Sequence, residues 1–247
     1  MKNLHLYKFD NFSQNGEDGI IEEILIRSFS EKKLNIVEFG AGDIEKNSNT
    51  FNLINNNKVN NAIFIEMDKI LFNKLEKLKE IYPQIKPINK KVQFEKNHQD
   101  TLDNILKKNN VENNIDIMSI DIDSYDLDVY RSLEVYFPKL LIIEGGRQKY
   151  GVLSEHSLDG ECNSFSSIYN EVSKKFELIG YTGNLFFLNK TFFSRDHIIA
   201  NYMIDDELQY LLFCIYVNYK KKGNIKKKII DLIAKNKLLM KILINYK

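Results

Sequence analysis

Residues 36–42 read Ile-Val-Glu-Phe-Gly-Ala-Gly, a short apolar run that closes on an acid and two alternating glycines. A nucleoside-binding α/β sheet begins this way: a buried strand delivers Glu38 to its carboxyl edge, while Gly40 and Gly42 can take positive φ and let the backbone approach a ligand. The spacing is E-x-G-x-G. It is not the G-x-G-x-x-G of a dinucleotide turn, which relies on a helix N-terminus to hold a pyrophosphate. The difference favours a turn for S-adenosylmethionine (SAM), a nucleoside without a pyrophosphate. Taken alone, the same residues would also serve as a purely structural turn.

Outward from this stretch, strand and helix signals alternate between about residues 19 and 188, the pattern of a parallel sheet covered by helices on both faces. Ile20, Ile21, Ile24 and Leu25 fall at helical spacing in residues 19–28, behind the cap-rich segment Ser13-Gln14-Asn15-Gly16-Glu17-Asp18. Further helices are expected around Phe51, Leu53 and Ile54, with Ser48 or Asn49 as cap, and over residues 69–81, 101–108 and 127–135. Continuous apolar runs mark strands at 35–39, 62–66, 85–92 (weak), 115–120, 140–144, 176–180 and 184–189. Only Tyr181-Thr182-Gly183 separates the last two, which is too short for a crossover helix, so they should form an antiparallel hairpin. The fold class expected is α/β, a mostly parallel sheet of six to seven strands ending in that hairpin.

With 247 residues, 43% of them hydrophobic, the chain can bury one substantial core. We expect a domain over residues 1–195, including an N-terminal cap segment, and a helical extension over 196–247. The net charge of +1 supplies no global field to recruit nucleic acid. Cys162 and Cys214 lack metal-ligand spacing, no basic and apolar leader opens the sequence, and the apolar run at 208–217 falls short of the roughly 20 residues that span a bilayer. The expectation is a cytoplasmic chain, soluble or at most peripheral at the inner face of a membrane. Residues 225–247 read as a basic amphipathic helix with Ile229, Ile230, Ile233, Leu238, Leu239 and Ile242 near one side. Such a helix could dock on the body, join copies of the chain into a homo-oligomer, or attach to an anionic membrane.

In an open α/β sheet, ligands collect beyond the carboxyl ends of the strands. Those ends carry Glu38, then Glu66 with Asp68, then Asp121 with Asp123, then Glu144. An acid at the position of Glu66 can accept both hydroxyls of a ribose, although a surface acid would look the same. Asp121, Asp123 and Asp126 follow one apolar strand, and if they converge they require a cation, a hydrogen-bond network or a raised pKa. Asp121 and Asp123 share a face, while Asp126 could cap the next helix. Asp121 could border the SAM methyl, and either Asp121 or Asp123 could take the acceptor's proton. His156, in the polar loop 151–159, is a further candidate base, or simply a surface histidine. Arg147 could hold a phosphate or sugar oxygen in bidentate fashion, with Gln148 and Lys149 beside it. Asp121, Asp123 and Glu144 could alternatively hold Mg²⁺, which prefers oxygen ligands. His5, His98 and His197 show no partnering pattern and read as structural.

Together, residues 13–20, 37–43 and 119–123 resemble the FkbM-type branch of class I SAM-dependent methyltransferases, a similarity extending over about residues 12–189. The resemblance implies a Rossmann-like fold in which Gln14, Gly16 and Glu17 fold over the cofactor. Glu38, Gly40 and Gly42 would line its amino-acid end, Glu66 would bind its ribose, and Asp121 would lie near its methyl group. It also implies an O-methyltransferase acting on a sugar or nucleotide-sugar precursor of a surface polysaccharide, with Glu144 and Arg147 at the acceptor. Glu144-Gly145-Gly146-Arg147 departs from the acid and polar or aromatic pair of many relatives, which bears on the acceptor pocket. Other acceptors would be an amine or a phosphorus-linked oxygen. A non-catalytic SAM-binding partner protein is the remaining alternative.

Overall fold

The computed structural model describes residues 3–31, 33–40, 42–122, 125–145 and 163–202. Among these, seven strands form one sheet in the order β3-β2-β1-β4-β5-β7-β6. They are β1 (Leu34–Phe39), β2 (Val59–Glu66), β3 (Ile85–Asn89), β4 (Ile117–Ile120), β5 (Leu140–Glu144), β6 (Phe176–Tyr181) and β7 (Asn184–Asn189). β1 to β5 run parallel, whereas β7 is antiparallel to both β5 and β6. The hairpin turns on Thr182 and Gly183, where Gly183 takes φ +112° and the Thr182 N–H donates to the Asn184 carbonyl. The expected fold class is the one found.

Helices cover both faces because the central strands are largely apolar on both. One face packs Val37, Phe39, Met118, Ile120, Leu141 and Ile143 beneath α5 (Leu102–Lys108), α6 (Asp126–Ser132) and α7 (Phe165–Val172). The other packs Ile36, Phe64, Ile117 and Ile142 beneath α1 (Glu17–Ser28), α3 (Phe51–Asn55), α4 (Lys69–Ile81) and α8 (Arg195–Asn201). Two short elements, the 3₁₀ turn η1 (Leu4–Tyr7) and α2 (Ile44–Asn47), complete the set. α8 docks on α1: the Arg27 guanidinium donates to the Asn201 carbonyl at 2.8 Å, and Ile198 and Tyr202 are buried. The first residues of the expected helical extension are thus packed on the body as far as Tyr202; the amphipathic segment 225–247 lies outside the described residues. Among the described residues no helix is long and apolar enough to cross a membrane.

Carboxylates hold the backbone at several element ends. Just before β4, Asp116 keeps backbone bonds to Asn35 and Leu140 while its carboxylate accepts the Asn35 N–H at 2.8 Å and pairs with the Lys139 ammonium at 2.9 Å. α6 stops at Ser132 because Asp103 accepts the N–H groups of Glu134, Val135 and Tyr136. Asp126 does not cap α6; Tyr125 holds the N-cap position, and Asp126 accepts the Ile122 N–H at 2.8 Å, closing the loop after β4.

The connection from β1 to α3 rests on Glu38. Along a strand alternate residues share a face, so Glu38 points with Ile36 toward α1 and α3 and away from Val37 and Phe39. There it is 2% exposed and accepts the Ser48 hydroxyl at 2.9 Å, the Asn49 N–H at 3.0 Å, the Thr50 N–H at 3.1 Å and the Thr50 hydroxyl. Ser48 in turn accepts the Thr50 and Phe51 N–H groups and so caps α3 from outside the helix.

Burial pushes the Glu38 pKa above the ordinary glutamate range, outweighing the lowering effect of the donors from Thr50, Ser48 and Asn49. Over the window between its unfolded and folded pKa values the folded state holds a proton that the unfolded chain has lost, so Glu38's contribution to stability declines as pH rises through that window. Glu38→Gln would set an amide N–H against a backbone N–H. We expect it to destabilise by about 2 kcal/mol, with the gap to the wild type narrowing as pH rises from the ordinary glutamate range; urea melts across pH would show both.

Candidate functional site

A cleft of about 600 Å³ opens beyond the carboxyl ends of β1, β2, β3 and β4, within the roughly 300–1,000 Å³ of small-molecule sites. Each strand end contributes a wall: Gly40 and Gly42 after β1, Glu66 and Met67 at β2, residues 90–95 after β3, and Asp121, Ile122 and Tyr125 after β4. A smaller hollow of about 240 Å³ lies at the opposite edge. Its carboxamides are engaged locally, with Asn60 and Asn61 both donating to Asn35 and Asn114 donating to Glu112. No chemistry-bearing residue singled out in the sequence borders it.

Within the cleft, Glu66 spans two turns. It is 6% exposed; one carboxylate oxygen accepts the Gly42 N–H at 3.0 Å and the other accepts the Asp68 N–H at 2.7 Å. Each oxygen has a second lone-pair direction, so the group can accept two further hydrogen bonds. Asp68 itself caps α4 by accepting the Ile70 and Leu71 N–H groups. The two glycines after β1 do different work. Gly42 takes φ +55°, and a Cβ there would meet nothing closer than 3.8 Å, so conformation alone calls for glycine. Gly40 takes φ +73°, and a Cβ would lie 1.5 Å from the Asp121 carbonyl oxygen. Its role is to let the end of β4 cross over the end of β1.

The structure therefore brings Gly40, Gly42, Glu66 and Asp121 together around one cleft. Gln14, Gly16, Glu17 and Glu38, expected at the cofactor, do not line this cleft. The Glu38 carboxylate is consumed by the loop at residues 48–50. Glu17, 1% exposed, accepts the Gln14 and Asn15 N–H groups on one oxygen and the Thr182 hydroxyl and Asn184 amide on the other. Gly16 sits at the α1 N-cap with φ +93° and donates its N–H to Asp10, and the Gln14 amide donates to Asn47. None of the four borders the cleft.

Asn49 and Asn184 connect Glu38 to Glu17, and Ser119 joins them from β4. The Asn184 amide also donates to the Asn49 side-chain oxygen at 3.2 Å, and the Asn49 amide donates to the Ser119 hydroxyl at 3.0 Å. Ser119, fully buried, is the single polar residue within β4, Ile-Met-Ser-Ile, and that interruption was the available signal.

The Asp121 N–H donates to the Phe39 carbonyl, and Asp121 borders the cleft. Glu144 ends β5 opposite Asn184, half-buried, and the following Gly145 N–H donates to the Gly183 carbonyl. Asn163 supplies α6 with the cap that Asp126 does not, accepting the Leu127 N–H at 3.0 Å. Asp123, Arg147 and His156 lie outside the described residues. Among the described residues no group of three His, Cys, Asp or Glu side chains could hold a metal ion. The three remaining histidines do have partners: His5 donates to the Tyr181 carbonyl, His98 accepts the Asp100 N–H, and His197 pairs with the Ser28 hydroxyl.

No family model matches the chain, and no curated protein sequence matches it. Solved structures do. The CurJ carbon methyltransferase superposes with a TM-score of 0.50 at 10% identity, over 75% of this chain and 56% of that one, so the chain spans little more than half its length. TrmK of M. capricolum, in complex with S-adenosyl-homocysteine, is similar with a TM-score of 0.42 at 16% identity, over 86% and 92% of the two chains. Fibrillarin of Aeropyrum pernix gives 0.44 at 11%, over 68% and 73%. At these identities the likeness is one of fold: a Rossmann-like, mostly parallel seven-stranded sheet with a terminal antiparallel hairpin.

Proposed function

We propose that the cleft binds SAM and that the chain is a methyltransferase whose acceptor is a hydroxyl of a sugar or nucleotide sugar. The observation that carries the reading is Glu66, a buried acid at the carboxyl end of β2, tied to the Gly42 N–H on the wall of the cleft. A carboxylate so placed suits a vicinal diol, because both oxygens keep accepting capacity toward the cleft. The glycine turn beside it suits a backbone that must approach a ligand closely. When bound, SAM supplies a sulfonium-borne methyl group: its C–S bond breaks as the acceptor's O–C bond forms, leaving S-adenosylhomocysteine.

The chain's own residues then have two tasks, alignment and proton removal. An alcohol must lose its proton as it attacks. Asp121, on the cleft wall at the end of β4, is the base we favour, with Asp123 and His156 as the alternatives from sequence. Glu144 and Arg147 follow β5 and are proposed to hold the acceptor. The sugar assignment rests on the FkbM-type resemblance and on the polar character of the strand ends.

Calorimetry with SAM and S-adenosylhomocysteine tests the cofactor, and we expect saturable heat with both. Glu66→Ala should weaken binding by about tenfold or more, the loss of a charged acceptor shared by two hydroxyls; no heat from the wild type with either ligand would refute the proposal. Incubation with methyl-labelled SAM and a panel of nucleotide sugars tests the acceptor, and label appearing on an amine or phosphorus-linked oxygen would move it. With an acceptor in hand, Asp121→Asn should lower kcat by about 10²-fold or more while leaving SAM affinity nearly unchanged.

A further inference from the structure

The segment before α1 carries a reactive pair that neither the sheet nor the cleft uses. Asn15 is followed by Gly16, the one Asn-Gly step in the chain. An asparagine carboxamide can be attacked at Cγ by the backbone nitrogen of the next residue, and glycine shields that nitrogen least because it has no side chain. Asn15 is exposed and lies against the hairpin turn, where a Cβ on Gly183 would sit 3.6 Å from its Nδ2. Water can therefore reach it. The fold also fixes its neighbour as glycine: Gly16 takes φ +93°, and a Cβ there would lie 2.5 Å from Cγ of Lys8.

Two carboxylates restrain the pair. The buried Gly16 N–H donates to Asp10 Oδ1 at 2.6 Å, and the Asn15 N–H donates to Glu17 Oε2 at 2.7 Å. The Ser13 hydroxyl donates to the same Asp10 oxygen and steadies it, while Glu17 is anchored to the hairpin through Thr182 and Asn184. Attack on Cγ requires the Gly16 nitrogen to shed its proton, and the negative charge of Asp10 opposes the anion that results. The charged hydrogen bond must be given up as well. Asp10 thus acts against the reaction twice.

We infer that Asn15 is a deamidation site kept latent by the Asp10 carboxylate, so that each local opening of residues 10–18 can be recorded as a permanent acid. In the step, the Gly16 nitrogen loses its proton to solvent base and bonds to Cγ of Asn15, while the Cγ–Nδ2 bond breaks and ammonia leaves. Water then opens the cyclic imide at either carbonyl. One opening gives aspartate. The other gives isoaspartate, which adds a methylene to the main chain between the N–H groups of residues 15 and 16. A backbone so lengthened does not keep one N–H on Glu17 and the next on Asp10, and the hold of this segment on the hairpin is weakened.

Peptide mass mapping of the full chain, incubated at mildly alkaline pH, tests the inference. We expect Asn15 to convert at least about tenfold more slowly in the folded wild type than in the same chain unfolded in urea, the worth of a charged hydrogen bond that must open first. Asp10→Asn keeps an oxygen for the Gly16 N–H without the charge, and Asp10→Ala removes both. Each should speed conversion in the folded state, Asp10→Ala by about tenfold, and circular dichroism melts show whether each is folded. Should Asp10→Ala fail to fold, Asp10→Asn and the comparison with urea decide. Asn15→Gln should remove the mass gain from this peptide. Equal rates for the folded and urea-unfolded wild type, or folded Asp10 variants that convert no faster than the wild type, would overturn the restraint. An Asn15 that survives even in urea would overturn the site.

Discussion

The carboxyl edge of this sheet is organised by a buried polar chain that begins at Glu38 and ends at Glu17. Glu38 takes the Asn49 N–H, the Asn49 amide reaches Ser119 on β4, and the Asn184 amide bridges Asn49 to Glu17 on α1. Its members come from β1, β4, β7, α1 and the loop before α3, and each is almost wholly shielded from water. An ionisable group so buried is tolerated only when it is hydrogen-bonded, and loss of one partner leaves the others unpaired in a low dielectric. The terminal hairpin is therefore more than an edge to the sheet: Thr182 and Asn184 are half of what neutralises the demand of Glu17.

That chain divides the strand-end acids into two kinds. Glu38 and Glu17 face inward and hold segments of the fold together. Glu66 and Asp121 border open space. The division follows from depth along the strands: Glu38 lies in register with Phe64 and Ser119, inside the sheet, whereas Glu66 and Asp121 each sit two residues nearer the carboxyl edge. Glu66 differs because it engages backbone N–H groups on both turns while remaining on the cleft wall.

Much of the architecture was legible because covered sheets leave a coarse record. Runs such as Leu-Leu-Ile-Ile-Glu at β5, and the short link at Thr182 and Gly183, translate directly into strand and hairpin. The same property hid the role of Glu38. When both faces are apolar, Ile36-Val37-Glu38-Phe39 carries no alternation to say which face the acid takes. α7 was missed although Phe165, Ile168 and Val172 fall at helical spacing behind the Ser164 cap. The stacked rings of Phe94 and Tyr125 left no trace in sequence at all, being brought together from two loops only by the strand order.

Gly40 links the structural half of this edge to the half that faces the cleft. A methyl group there would collide with the Asp121 carbonyl, and the Asp121 N–H already bonds to Phe39. The ends of β1 and β4 are thus fixed against one another, and Asp126 fixes the next residue by accepting the Ile122 N–H. Asp121 is held by its backbone on both sides before any ligand arrives. Such rigidity is what a reaction limited by alignment requires, because an acid placed by neighbouring strands keeps its distance to the Glu66 wall while the surrounding loops vary. The requirement for glycine at position 40 therefore comes from the protein's own backbone, and the E-x-G-x-G spacing records a crossing of two strands as much as the approach of a ligand.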